Sequence, residues 1–142
     1  ELVLPQENLD KYYSSIDNVK SAQSEVYYDK DIFFKRVKQI ADPKVDFAIE
    51  NTIINQSIDS WYDIGAGTGE IIYSAKSKGF NCKGFEIDQE AVSFAKGLGL
   101  EIQKVTLDDN FDYTIFKPAR MISMLNVLEH IENDLVHSLL LF

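Results

Sequence analysis

The spacing of apolar residues divides the chain into two parts. Between residues 9 and 56, apolar side chains recur at intervals of three and four, which is the period of an amphipathic helix. Two such series are Leu9, Tyr12, Tyr13, Ile16 and Val19, then Phe33, Val37 and Ile40. The pattern predicts two or three helices with a break at Asp42-Pro43, where Asp42 can cap a helix and Pro43 can take its first position. We assign residues 1–58 to an N-terminal helical region.

From residue 59 the pattern changes to short apolar strands separated by helices and glycine turns. Strands are predicted at 61–64, 82–86, 101–105 and 121–125. Helices are predicted at about 70–78 and 89–96, ended by Gly79 and Gly97. Strands that alternate with helices are typical of βαβ units and a parallel sheet. Residues 59–142 are thus predicted to form an α/β, Rossmann-like three-layer sandwich with a mostly parallel sheet.

Composition and charge narrow the class of protein. The chain has 142 residues, 45% of them hydrophobic, which is enough for the core of one domain. Its net charge of −9 repels phosphate backbones and anionic membranes, and the basic knot Lys35, Arg36 and Lys38 is too small to form a patch. No apolar run approaches the length of a membrane span, and one cysteine cannot form an internal disulfide. We expect a cytoplasmic protein with no nucleic-acid or membrane partner and no metal.

The first candidate site is the sequence Asp-Ile-Gly-Ala-Gly-Thr-Gly at residues 63–69. It follows a predicted strand and enters a predicted helix. Glycines at alternate positions allow a tight turn and let the main chain approach a ligand closely, since no Cβ intervenes. Asp63 stands near the end of the strand, where it can accept hydrogen bonds from loop amides or from a cationic ligand group. The loop can therefore hold a cofactor.

The second candidate is Glu86, which lies 21 positions after Gly65 at the end of the next strand. An acidic residue at about this distance from a glycine loop can bind both hydroxyls of a ribose. Asp88 lies two positions further on and is interpreted as the cap of the following helix. Glu86 is the best single candidate for a binding residue.

Three pieces of the sequence together resemble class I S-adenosylmethionine-dependent methyltransferases. They are the glycine loop, the Gly-Phe-Glu-Ile-Asp strand end at 84–88, and Asn-Val-Leu-Glu-His-Ile at 126–131. The resemblance covers about residues 61–134. The loop has the spacing Gly-x-Gly-x-Gly rather than the Gly-x-Gly-x-x-Gly of dinucleotide-binding proteins, which favours a methyltransferase over an oxidoreductase.

The resemblance implies a cofactor, S-adenosylmethionine (SAM), and a role for each matching residue. Asp63, Gly65, Ala66 and Gly67 would surround its amino-acid end. Glu86 would bind the ribose hydroxyls and Ile87 would pack on the adenine. An acidic residue after the third strand would meet the adenine amino group, and this is Asp108, or Leu107 or Asp109 if the register slips. Asn126 would face the methionine portion.

The catalytic residues are not identified by the sequence, and His130 is the one candidate for a proton acceptor. A histidine can act as a base near neutral pH, and Glu129 could orient it. The alternative is structural: Glu129 complements a helix N-terminus and His130 is packed or hydrogen-bonded there. Because a sulfonium methyl is already activated, a dedicated base is optional, and alignment of the nucleophile is the main requirement.

The predicted function is methyl transfer from SAM, with a small molecule favoured over a protein as acceptor. The tyrosines of the helical region either pack that layer or close over a ligand as a lid. A noncatalytic cofactor-binding or interaction scaffold is the first alternative, and a nucleotide-dependent oxidoreductase is the second.

The family arrangement has seven strands, of which this chain supplies four. Their order in the sheet would be 3-2-1-4, with the fourth strand at an open edge. That strand is apolar on both faces, as an interior strand would be. We therefore expect a sheet that is incomplete at the C-terminus, in a truncated core or one that pairs with another copy in a homo-oligomer.

Overall fold

The computed structural model describes residues 27–56, 60–106 and 118–127. Predictions for the first 26 residues, Tyr12 and Tyr13 among them, lie outside this part of the chain. The helices are α1 (Lys30–Arg36), α2 (Asp42–Glu50), α3 (Glu70–Ser77) and α4 (Gln89–Gly97), and a π-helical turn (Val37–Ala41) joins α1 to α2. The strands are β1 (Ser60–Ile64), β2 (Asn81–Glu86), β3 (Ile102–Lys104) and β4 (Met121–Met124).

The four strands form one parallel sheet in the order β3-β2-β1-β4. Trp61 of β1 is aligned with Cys82 of β2 and with Met121 of β4. Because all four strands are parallel, their carboxyl ends meet at one edge of the sheet, which is where α/β proteins bind ligands. The predicted α/β fold and strand order are confirmed.

The central strand β1 separates two apolar clusters. Trp61 belongs to the cluster on the side of α1 to α4, whereas Tyr62 and Ile64 pack with Phe85 on the other side of the sheet. This alternation follows from the period of two in a strand. Asp63 is an odd-numbered residue like Trp61, and it is 3% exposed. A carboxylate is thus placed on the buried, helix-covered side of β1.

The N-terminal helices pack on the same core as the sheet. Their buried residues follow a spacing of four: Phe33, Val37, Ala41 and Val45. Phe33 makes an edge-to-face contact with Tyr73 of α3 and another with Phe94 of α4. None of the helices in the described ranges is long and apolar enough to cross a membrane.

A new α-helix, α2, begins at Asp42 with Pro43 in its first turn, as predicted, but no turn separates it from the preceding helix, because the chain stays helical from Lys30 to Glu50. Asp42 makes no capping bond, and its carboxylate instead accepts a 2.5 Å hydrogen bond from the buried Ser74 hydroxyl of α3. Proline lacks an N–H, and its ring clashes with the carbonyl four residues before it in a regular helix. The π-helical turn widens the helix immediately before Pro43, so the proline is accommodated.

The ends of α3 and α4 are Schellman motifs. Gly79 (φ +86°) ends α3 as predicted. The helix α4 ends at Gly97, one residue later than predicted, and the terminating glycine is Gly99 (φ +75°) rather than Gly97, with its amide bonded to Lys96 O. Two glycines separated only by Leu98 made the choice ambiguous. Asp88 caps α4 as predicted, accepting from Glu90 N at 3.0 Å.

Candidate functional site

The glycine loop joins β1 to α3 and is held against the ends of β2 and β4. Gly65 and Gly67 have φ values of +70° and +55°, which L side chains rarely adopt. The amides of Gly65 and Ala66 both donate to Phe85 O, at 2.8 and 3.1 Å. A Cβ on Gly65 would lie 2.2 Å from Cγ2 of Val127. Glycine is therefore required at this position both by conformation and by space.

Glu86 ties the end of β2 to the loop. Its Oε2 accepts from Gly67 N at 2.7 Å, and its Oε1 accepts from the amides of Ile87 and Asp88 at 2.8 and 2.9 Å. Charge-assisted bonds of this kind hold a carboxylate firmly. A carboxylate has about four lone-pair positions, and three bonds from described residues leave some capacity for a further donor. The glycine loop and Glu86, which the sequence singled out separately, thus meet in space through Gly67.

A cavity of about 250 Å³ lies in front of the loop. It is bounded by the loop, the N-terminal helices and the residues that follow β4, and its lining residues are Tyr27, Arg36, Ile40, Ala41, Lys44, Asp63, Gly65, Ala66, Gly67, Glu70, Ile71, Leu125 and Asn126. Five of the predicted site residues are therefore brought to one cavity. The charged lining groups are two acids and two bases.

The other predicted site residues have different positions. Glu86 borders the loop through its contact with Gly67, and Ile87 is 55% exposed just beyond it. Neither lines the cavity itself. The positions proposed for the adenine amino group (Asp108, Leu107 or Asp109) and for the proton acceptor (His130) fall outside the described residues. They stay predictions.

Asn126 takes a left-handed conformation, with φ of +57°. Asparagine tolerates this region better than most residues because its short amide can bond locally. The turn follows β4 directly and places Asn126 in the cavity wall across from the glycine loop. The predicted position of Asn126 at the fourth strand end thus corresponds to a specific backbone turn.

Asp63 is buried at the base of this cavity. It accepts a 2.5 Å hydrogen bond from the Ser123 hydroxyl, which in turn accepts from Trp61 Nε1 at 2.9 Å. Burial raises the pKa of the Asp63 carboxyl to about 7, against the lowering effect of the Ser123 bond. Repulsion from Glu70 and Glu86 acts in the same direction as burial. A cationic group of a ligand would reverse this effect and favour the ionised form.

Arg36 is a site residue that the sequence did not identify. Its Nε bonds Glu70 Oε1 at 2.6 Å, and its Nη2 donates to Thr68 Oγ1 at 3.1 Å and to Tyr27 O at 3.0 Å. Thr68 also donates to Glu70 Oε1 at 2.7 Å. One guanidinium thus joins the N-terminal helices to the glycine loop. In the sequence, Arg36 belongs to a short basic cluster, and nothing in its spacing indicates that Glu70, 34 residues away, is its partner.

Tyr27 and Tyr28 lie over the two strand ends. A Cβ on Gly67 would be 3.4 Å from the Tyr27 hydroxyl, and the Tyr28 hydroxyl donates to Asp88 Oδ2 at 3.1 Å. Burial and, secondly, Glu70 raise the pKa of Tyr27, so its hydroxyl stays protonated. Tyr28 also packs against Phe94 of α4, with ring centroids 5.7 Å apart, so both interpretations of the tyrosines stay predictions.

A second, apolar cavity of about 430 Å³ lies between α2 and β4. Phe47 and Ile122 are in its wall, and Trp61 is at its base. It adjoins the first cavity, because Lys44, Ile71 and Leu125 line both. Within the described chain, β4 is bonded on one side only, by β1.

Comparison with solved structures finds that this chain is similar in fold to methyltransferases. The plantazolicin methyltransferase BpumL in complex with SAH is 21% identical, with a TM-score of 0.56 over 89% of this chain and 49% of that chain. A SAM dependent methyltransferase from Archaeoglobus fulgidus is 18% identical, with a TM-score of 0.57 over 79% of this chain and 51% of that chain. No protein-family model matches the sequence, and no curated protein matches it.

The chain thus spans about half the length of these solved structures. Similarity at this level of identity establishes the fold. The chain has the class I methyltransferase fold, as the resemblance of its sequence implied.

Proposed function

We propose that the protein binds SAM at the glycine loop and the adjoining 250 Å³ cavity, and transfers its methyl group to a small-molecule acceptor. The observation that carries the proposal is the 2.7 Å bond between Gly67 N and Glu86 Oε2. It joins a bare main-chain turn to an acidic strand end, beside a cavity that contains charges of both signs. BpumL, which shares this fold, was crystallised with SAH, the product that SAM leaves after methyl transfer.

The residues present fit such a cofactor. Gly65, Ala66 and Gly67 offer main chain without bulky side chains, and Asp63 offers a carboxylate to the cofactor's ammonium group. Glu86 would accept from the ribose hydroxyls, sharing its oxygens with the backbone amides that already bind it.

The adenine end would lie beyond Glu86. Ile87 has an exposed apolar side chain suited to packing on a flat ring. We assign the acidic partner of the adenine amino group to Asp108. Asn126 would meet the methionine portion from the opposite wall.

The cofactor, when bound, supplies a methyl group already activated by the positive charge on sulfur. The protein's residues need only hold it, orient it towards the acceptor and exclude water. Tyr27 and Tyr28 already cover the two strand ends, which serves water exclusion. We nominate no catalytic base, and His130 stays the candidate for one.

A small-molecule acceptor is supported by charge and by shape. A net charge of −9 disfavours nucleic acid, and the cavity beside the loop, which Tyr27 helps to line, is small. We place the reaction in the cytoplasm on the strength of the composition.

The test is calorimetric titration of the chain with SAM, SAH and NAD, followed by an assay of methyl transfer to small-molecule acceptors. We expect saturable binding of SAM and SAH, and none of NAD. Glu86→Ala should weaken SAH binding by about tenfold or more, since it removes charge-assisted hydrogen bonds. Glu90→Ala, at an exposed acid on α4, is the matched control and should bind as the wild type does.

Each other outcome assigns a different function. Preferential binding of NAD would support the oxidoreductase. SAH binding without transfer to any acceptor would support a noncatalytic scaffold. Failure of the folded chain to bind SAM or SAH would refute the proposal.

A further inference from the structure

We propose that Arg36 binds the α-carboxylate of the cofactor's amino-acid end, with Lys44 as a second cation, so that the N-terminal helices form part of the cofactor site. The inference rests on the proposed function. It assigns a ligand group to two residues outside the glycine loop and the strand ends. The cationic half of the site is then supplied by the layer that the sequence presents as a possible lid.

The first argument is the arrangement of charge in the cavity. Its lining carries the carboxylates of Asp63 and Glu70 and the cations of Arg36 and Lys44. Asp63 comes from the sheet, whereas both cations come from the N-terminal helices. The amino-acid end of the cofactor is a zwitterion, with an ammonium group and a carboxylate group attached to the same α-carbon. Glu70 is already paired with Arg36, so the Asp63 carboxylate and the two cations are the groups that complement the ammonium and the carboxylate of the ligand.

The second argument is the donor capacity of Arg36. A guanidinium has five N–H donors in a fixed plane. Three of them are used, by Glu70, Thr68 and the Tyr27 carbonyl. Among the described residues no acceptor contacts Nη1, which leaves two donors for a carboxylate. Both remaining donors are on Nη1, so a carboxylate can accept a charge-assisted hydrogen bond there without displacing the existing partners of Arg36.

The third argument is that Arg36 is already held in place. Its side chain is 23% exposed, and that of Glu70 is 19% exposed. The guanidinium also lies 5.0 Å from the centre of the Tyr27 ring. A side chain fixed on several sides loses little conformational freedom when it binds a ligand. Lys44 is exposed and less constrained, so we expect it to contribute less than Arg36 to carboxylate binding.

The test compares SAM with decarboxylated SAM, which differs from it only in lacking the carboxylate. Affinities of both are measured by calorimetry for the wild type, Arg36→Gln, Arg36→Lys and Lys44→Gln. Lys35→Gln is the matched control, because Lys35 neighbours Arg36 on α1 and does not line the cavity. No turnover is needed for this measurement.

We expect the wild type to bind SAM about tenfold or more tightly than decarboxylated SAM, as charge-assisted bonds to the carboxylate require. Arg36→Gln should abolish most of that preference by weakening SAM alone. Arg36→Lys should keep part of the preference, since it retains the charge but not the planar fork. Lys44→Gln should reduce it by less, and Lys35→Gln should leave it unchanged.

A purely structural role for Arg36 predicts a different result. In that case Arg36→Gln would weaken both ligands by the same factor, because the loop itself would be displaced. That outcome, or a wild type that does not distinguish the two ligands, would overturn the inference while leaving SAM binding intact. If Arg36→Gln does not fold, the comparison of Arg36→Lys with the wild type decides by the same criterion. A folded wild type that binds neither ligand would refute the proposed function and this inference together.

Discussion

Asp63 shows how the burial of one carboxyl prepares a site for a cation. Its burial opposes ionisation, and the hydroxyl of Ser123 only partly compensates. A free chain near neutral pH therefore holds Asp63 as a mixture of protonated and ionised forms. A ligand ammonium group would draw it to the ionised form, because a nearby positive charge favours the carboxylate.

The raised pKa of Asp63 predicts how the stability of the ligand-free protein depends on pH. The pKa of Asp63 rises from 3.8 to about 7 on folding, so the folded state holds the proton more tightly than the unfolded state. The contribution to stability is complete below about pH 4 and is lost as the pH rises towards 7. Between pH 5 and pH 8, the free energy of unfolding of the wild type should fall by on the order of 2–3 kcal/mol relative to that of Asp63→Asn.

Urea unfolding of both proteins at several pH values measures this difference. Asparagine can still accept the Ser123 bond but cannot ionise, so the variant isolates the titration. Parallel pH profiles for the two proteins would contradict the assignment of a raised pKa to Asp63.

The two glycines near the end of α4 test the assignment of its terminus. Gly97 is exposed and helical, and a Cβ there would meet nothing within 4 Å. Gly97→Ala should therefore raise the free energy of unfolding by about 0.5–1 kcal/mol. Gly99 also has open space but a φ of +75°, so Gly99→Ala should cost about 1–2 kcal/mol. Thermal or urea unfolding measures both, and the opposite signs are the result to look for.

If Gly97 instead ended the helix, the signs would be exchanged. The pair thus compares two identical substitutions, two residues apart, that differ only in backbone conformation. Neither glycine contacts the candidate site, so SAH binding by both variants should equal that of the wild type.

The sequence predicted the elements whose signals are local. Short segments with apolar residues between helices and glycine turns located β1 and β2 to within one residue. The Gly-x-Gly-x-Gly turn and Glu86 were likewise found from spacing. The start of α2 at Asp42-Pro43 was predicted, but the continuous helix across it was not, because the burial of Val37, Ala41 and Val45 in the core outweighs the local preference for a turn.

Contacts between distant segments were not predicted. The Arg36–Glu70 pair and the Tyr28–Asp88 bond join residues 34 and 60 positions apart. Nothing in a single sequence couples such residues, and the basic residues Lys35, Arg36 and Lys38 were judged only too few to form a patch. Asp63 was therefore predicted as a site residue, whereas Glu70, Arg36 and Lys44 were not.

At the scale of the whole molecule, β4 is the edge of the described sheet, and an apolar cavity lies beside it. Ile122 is 46% exposed and Phe47 is 68% exposed. An apolar edge strand offers unpaired backbone groups to another chain. We therefore expect this chain, on its own, to self-associate through β4.

Light scattering across a concentration series tests this expectation. The mass of the wild type should rise with concentration, and Ile122→Lys should reduce the rise, since a charge on an edge strand opposes pairing. Ile53→Lys is the control: Ile53 is 85% exposed and lies outside β4, so the same added charge should have little effect. A wild type that remains monomeric throughout would rule out a homo-oligomer formed in this way.

The π-helical turn Val37–Ala41 sets the angular phase of the N-terminal layer. Residues four apart on a regular α-helix drift by about 40° per step, so Phe33 and Val45 would face directions about 120° apart. The wide turn takes up extra rotation, and all four core residues stay buried on one side. Deleting one residue there would restore a regular helix and swing α1 by about 100° around its axis. The bond of Arg36 to Glu70 thus depends on a single surplus residue in the turn that follows Arg36.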